Sequence, residues 1–171
     1  MLPNKTTIVR NLTDEEITIL KRELTANYSK WEPHFFRQRH DTDGLSMHLH
    51  WTDDYCKPTY SDLDSFPETS KILSDIAGDF KLGRVYWHRL QTGQDILRHI
   101  DTNWFIKTGR LEHRYQIYLE TSDKNELRFD DQMVDAKLYE HKLVDFTPQN
   151  YHSYCNHSVD NWYFLVFDVL N

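Results

Sequence analysis

The run Leu90-Gln91-Thr92-Gly93-Gln94-Asp95-Ile96-Leu97-Arg98-His99-Ile100-Asp101 decides how this chain is read. Alternate residues of an extended strand point to the same face. His99 and Asp101 at its end are therefore expected side by side, an imidazole next to a carboxylate. One further histidine from a distant strand would complete a set of two histidines and one carboxylate, which binds Fe(II) on one face and leaves open positions for a cosubstrate and O2. Two histidines, His152 and His157, lie 51 and 56 residues after Asp101, ahead of the last apolar run. This pattern points to non-haem iron oxygenase chemistry.

The sequence around the run is strand-like. Val85–Leu90 alternates loosely, and Arg114–Leu119 alternates polar with apolar residues. Short runs at Glu126–Phe129, Lys137–Tyr139 and Lys142–Phe146 are separated by polar turns, and Trp162–Val169 is nearly continuous apolar sequence, as in a buried strand. Many short strands suggest a sandwich or barrel. Two helices are expected before them. One starts at the capping-box pair Thr13 and Glu16, with Ile17, Leu20 and Leu24 on one face. The other follows Pro67, with Ile72, Leu73, Ile76 and Phe80 as its stripe and Gly83 just beyond. Residues 31–60 show no clean period and read as irregular segments and short strands. The expected fold is one α+β domain over residues 1–171, a double-stranded β-helix of the jelly-roll or cupin kind with N-terminal helices packed on one sheet.

Composition narrows the partners. The chain has 171 residues, 14% aromatic, with a formal net charge of -7. This charge balance argues against a nucleic-acid or anionic-membrane binder. No apolar stretch is long enough to span a bilayer, and the N-terminus lacks a signal-peptide core. Cys56 and Cys155 are too few and too far apart for a disulfide framework. A reducing, cytoplasmic setting is the expectation.

A chain of spaced matches also resembles the aspartyl/asparaginyl β-hydroxylase family over roughly residues 84–170. The matches are Leu90-x-x-Gly93-x-x-Ile96-x-x-His99-x-Asp101, Arg114-Tyr115-Gln116-Ile117, Leu127-x-Phe129-Asp130, His152-Ser153-x-x-Asn156 and Leu165-x-x-Asp168. The resemblance implies a double-stranded β-helix oxygenase using Fe(II), 2-oxoglutarate and O2. His99, Asp101 and His152 would be the iron ligands, with His152 preferred over His157 because its offsets to Asn156 and Asp168 fit. Arg114 matches an arginine that helps bind the cosubstrate carboxylate, and Gln116 stands where many members have a second histidine. The substrate would be an amino acid side chain, free or within a peptide or protein.

One position departs from that pattern. Ten residues after the distal histidine, where the family has an arginine that pairs with the far carboxylate of 2-oxoglutarate, this chain has Trp162. The indole is expected to point into the barrel and fill that place. Arg128 is the first candidate to supply the missing cation, then Arg89 and Lys142. Two other functional readings remain open: a metal-binding cupin that does not use 2-oxoglutarate, and a catalytically silent binding barrel. His48 and His50 read either as a further metal or substrate contact at the barrel mouth or as ordinary hydrogen-bonded histidines beside Trp51. Asp168 reads as a strand-end acceptor, and Cys155 as a core thiol facing away from His152.

Overall fold

The computed structural model describes residues 6–33, 44–52, 58–101, 104–130, 132–147 and 149–171. Cys56 and part of the irregular 31–60 stretch fall outside them. Two antiparallel sheets face each other. The larger is built from β1 (Thr6–Asn11), β2 (Glu32–Pro33), β3 (Leu45–Thr52), β4 (Pro58–Ser61), β5 (Lys81–Leu90), β7 (Leu111–Leu119), β10 (Lys142–Phe146) and β12 (Trp162–Leu170). Its order is β1-β10-β7-β12-β5-β3-β2, with β4 on β3. The smaller contains β6 (Asp95–His99), β8 (Asn125–Phe129), β9 (Gln132–Asp135) and β11 (His152–Asn156), in the order β6-β11-β8-β9.

Alternation gives the larger sheet two apolar faces. On one face Trp87, Ile117, Leu165 and Phe167 pack with Leu20, Leu24 and Leu73 of helices α1 (Asp14–Ala26) and α2 (Pro67–Ala77). The other face points between the sheets, where Tyr118, Phe146, Trp162 and Phe164 meet Leu127, Phe129 and Tyr154 of the smaller sheet. α1 starts as expected: the Thr13 hydroxyl accepts from the Glu16 N–H, and the Glu16 carboxylate accepts from the Thr13 N–H at 2.8 Å. α2 has Pro67 in its first turn and stops at Gly78, whose φ of 60° suits glycine.

Three local expectations are corrected. Phe80 lies beyond α2 and is exposed, because the chain has already turned into β5. β5 begins at Lys81, so Gly83, placed just beyond the helix, is already inside a strand. Residues Ala136–Tyr139 form a 3-10 turn, not a strand; the Asp135 side chain caps it by accepting from the Lys137 N–H.

Gly83 marks where two central strands come closest. A Cβ there would stand 2.9 Å from the Asp168 Cβ and 3.1 Å from the Leu170 side chain. β12 bulges opposite this point, between Phe167 and Val169. Only glycine lets β5 approach while Asp168 keeps its inward direction. Gly83→Ala is therefore expected to destabilise the fold by about 1–3 kcal/mol, the usual cost of overpacking. Urea unfolding would measure this as a lower midpoint.

Candidate metal centre

The two sheets place the site where β6 ends and β11 begins. His152 is the register partner of His99 across the β11–β6 pair. Asp101 follows two residues beyond His99, just past the end of β6. The rings of His99 and His152 have centroids 4.2 Å apart. The Asp101 carboxylate oxygens lie 3.8 Å from each Nε2, and all three ligand atoms fall within 4.8 Å of one another. His99, Asp101 and His152 thus converge on one point.

Backbone contacts orient both imidazoles. His99 Nδ1 is 2.7 Å from the Leu97 carbonyl oxygen, and His152 Nδ1 is 2.8 Å from that of Asn150. A carbonyl only accepts, so each Nδ1 must carry the proton, leaving each Nε2 lone pair aimed at the shared centre. This arrangement commonly supports histidine ligands from behind. Burial pushes the His152 pKa down, to about 4, against the upward pull of Asp101, so its lone pair is available at neutral pH. Burial alone would raise the Asp101 carboxyl, but Arg114, His152, His99 and Arg84 outweigh it and hold the pKa at about 2.

Behind the carboxylate ligand lies a buried chain of charges. Arg114 is buried on the face that points between the two sheets. Its Nη1 donates to Asp101, and its Nε and Nη2 donate to Asp168 at 2.6 and 3.0 Å. Asp168 also accepts from Arg84 Nε at 3.0 Å. Asp168 is thus more than a strand-end acceptor: its fully buried carboxylate bridges two arginines. Arg84 was not anticipated from the sequence. The available signal was the alternation Arg84, Tyr86, His88 on β5, which sends three polar side chains to the face carrying Arg114 and Asp168.

Deeper between the sheets, Gln116 Nε2 donates to the Tyr154 hydroxyl at 2.9 Å, and the Tyr118 hydroxyl donates to Gln116 Oε1. Trp162 packs among Tyr118, Tyr154 and Phe164, fully buried, with no partner for its indole N–H among the described residues. The candidate replacement cations do not reach this space. Arg128 lies between the inward residues Leu127 and Phe129, so it points out of the barrel and pairs with Glu126 at 3.0 Å. Arg89 is on the helix side of β5, donating to the Tyr28 hydroxyl at 2.6 Å and lying over Tyr28 and Trp31. Lys142 is bonded to the Leu138 carbonyl at the surface.

The remaining candidates separate clearly. His157 is exposed, with Nε2 3.5 Å from Glu126, outside the triad. Cys155 faces away from His152 as expected, but it is half-buried beside a small outer cleft rather than in the core. His48 faces the barrel side of β3, its ring 5.8 Å from both Trp51 and Tyr86. His50 is buried past a bulge in the same strand.

No family profile and no curated protein matches the sequence. Solved structures do match the fold. A 2OG-Fe(II) oxygenase family oxidoreductase from Burkholderia pseudomallei aligns with 97% of this chain and 85% of its own at 13% identity, with a TM-score of 0.71. A prolyl hydroxylase from Trichoplax adhaerens, solved with a hypoxia inducible factor peptide fragment, gives 98% and 84% coverage, 13% identity and a TM-score of 0.65. A Pseudomonas putida prolyl-4-hydroxylase gives 97% and 91%, 14% and 0.61. The chain is thus similar to 2OG-Fe(II) oxygenases in fold, and these neighbours do not single out the aspartyl/asparaginyl hydroxylases within that class.

The residues fit the cofactors of that fold class, Fe(II), 2-oxoglutarate and O2. Two imidazole nitrogens and one carboxylate oxygen suit Fe(II) and leave open positions. The Trp162 N–H, unpartnered among the described residues, is a donor that a buried carboxylate can use.

Two outcomes follow for the metal centre. His152→Ala should abolish Co(II) binding followed by visible absorption, while His157→Ala should leave it intact. The pH dependence has a defined sign. The folded pKa of His152 lies below the ordinary value of about 6.5, so the unfolded chain takes up a proton that the folded one refuses. The resulting stability is present above about pH 6.5 and is lost as pH falls toward 4. The metal-free protein should lose melting temperature across that window, and His152→Asn should flatten the loss.

Proposed function

We propose that this chain is an Fe(II)- and 2-oxoglutarate-dependent hydroxylase on a double-stranded β-helix, acting on an amino acid side chain, free or within a peptide. The observation that carries this reading is the convergence of His99, Asp101 and His152 at the mouth of a barrel whose fold is that of 2OG-Fe(II) oxygenases. The Trichoplax neighbour's peptide complex supports a peptide among the candidate substrates.

His99, Asp101 and His152 would hold the iron, which when bound supplies O2 activation coupled to oxidation of the 2-oxo acid. The chain's own residues do the rest. Arg114 fixes Asp101 in place, because it binds one carboxylate oxygen and is itself held by Asp168. Its guanidinium is already engaged at three nitrogens, so it orients the cosubstrate mainly by positioning the ligand carboxylate and by its charge. Gln116, Tyr118, Tyr154 and Trp162 form the inner wall, with burial keeping both tyrosine hydroxyls protonated and donating to Gln116. Trp162 takes the place of a charged clamp with a single indole N–H. Phe146, Phe164 and the tyrosine rings exclude water from this space.

A second reading draws on the same tryptophan. Among the described residues, no lysine or arginine sits beside Trp162 at the inner end of the barrel. That favours a metal-dependent barrel whose cosubstrate is not a dicarboxylate. One experiment decides. Fe(II)-loaded protein with O2 should convert 2-oxoglutarate to succinate, more so with a candidate amino acid or peptide. Anaerobic titration of 2-oxoglutarate should produce a metal-to-ligand charge-transfer band. Trp162→Phe should weaken that binding about ten- to a hundredfold, the loss of one hydrogen bond to a charged group. Iron binding without either signal would favour the second reading.

A further inference from the structure

Arg84 is a buried cation that the metal centre does not consume. Its side chain is 8% exposed, and its Nε is committed to Asp168. Its Nη2 is buried and has no partner among the described residues. A charged N–H donor held out of water without an acceptor is costly, so such a group marks a place where an acceptor is expected to arrive. The guanidinium lies against the Trp51 ring, with its carbon 5.3 Å from the ring centroid. Trp51 and His48 line a cleft of about 880 Å3 together with Lys30, Glu32, Tyr60 and Asp62. Lys30, the cation lining the cleft, is already engaged by Asp62, and Arg84 lies behind the Trp51 ring.

The position of Arg84 separates it from the role of the missing family arginine. Arg84 binds Asp168, six residues along β12 from Trp162. At about 3.3 Å per residue that is roughly 20 Å. Arg84 therefore stands at the other end of the barrel. It is on the same side as Asp101, to which it is linked through Asp168 and Arg114. Trp51, against which Arg84 lies, lines the cleft, so a group in the cleft approaches Arg84 past that ring.

We infer that Arg84, with Trp51 and His48, is a carboxylate-binding subsite for the substrate, and that the substrate is a carboxylate-bearing molecule such as a free amino acid. This rests on the hydroxylase reading only for what happens to the bound molecule; the subsite itself stands on the buried, unsatisfied guanidinium and the cleft. The guanidinium fork suits a carboxylate because its spare nitrogen lies in the plane of the one already bonded. The Trp51 ring gives the ligand's carbon skeleton an apolar wall. Glu32 at the rim suits the ammonium of a zwitterion.

The test is titration calorimetry on protein loaded with Mn(II) and 2-oxoglutarate under argon, using free L-amino acids, each against its carboxamide. At least one acid should bind, and its carboxamide should bind ten- to a hundredfold more weakly. Arg84→Lys keeps a positive partner for Asp168 but loses the second nitrogen; it should reduce binding of the acid to the level of the carboxamide. Arg84→Met serves as a second variant, and unchanged Co(II) absorption with a cooperative melting transition above the assay temperature would show that each variant is folded. Equal binding of acid and carboxamide, no binding of any free amino acid, or full binding of the acid to Arg84→Lys would overturn the inference. If Arg84→Lys weakens 2-oxoglutarate instead, the carboxylate recognised is the cosubstrate's and the substrate assignment is wrong. Failure to form succinate with the acid preference intact would count against the hydroxylase reading and leave the subsite standing.

Discussion

The structure depends on one buried carboxylate. Asp168 sits on the central strand β12, fully enclosed, and holds Arg84 on one neighbouring strand and Arg114 on the other. Two guanidinium groups could not remain between these sheets without it, since removing one partner of a buried ion pair costs about 3–5 kcal/mol. Through Arg114 the same carboxylate fixes Asp101, and it also fixes Arg84 against the Trp51 ring. Gly83 belongs to the same device, because only a residue without a Cβ lets β5 come close enough for Arg84 and Asp168 to meet. The stability of the barrel and the shape of the metal centre therefore share one origin.

Strand register supplies the remaining precision. His99 and His152 face each other because β6 and β11 pair antiparallel with those two residues in register. Each ring is then turned by a carbonyl two residues upstream, which sets its tautomer. The direction of the two Nε2 lone pairs thus follows from backbone geometry. The inner end of the barrel differs in character. There the polar groups satisfy one another across Gln116, Tyr118 and Tyr154, and Trp162 packs among the same rings.

Features carried by local spacing were legible in the sequence. His-x-Asp at a strand end predicted a shared face, the Thr13 and Glu16 pair predicted the start of α1, and the alternation of Arg114, Gln116 and Tyr118 predicted which residues turn inward. Choosing His152 over His157 required offsets to Asn156 and Asp168, which report position within a fold rather than local chemistry. Features that depend on which strands become neighbours were not legible. Asp168 looked like a strand-end acceptor because its two arginine partners lie 54 and 84 residues away in sequence. Arg128 looked available because nothing local says which face of β8 turns outward; Leu127 and Phe129 claim the interior and exclude it. The 3-10 turn at Ala136–Tyr139 was read as a strand because its apolar residues are buried by tertiary contacts rather than by strand pairing.

The central claim is that His99, Asp101 and His152 bind a single iron, with Asp101 held from behind by Arg114 and Asp168. X-ray absorption at the iron edge of the Fe(II)-loaded protein tests it most directly. The account predicts a six-coordinate nitrogen and oxygen shell with outer scattering from two imidazoles, and loss of tight binding in Asp101→Ala. A shell without imidazole scattering, or one that Asp101→Ala leaves unchanged, would contradict it.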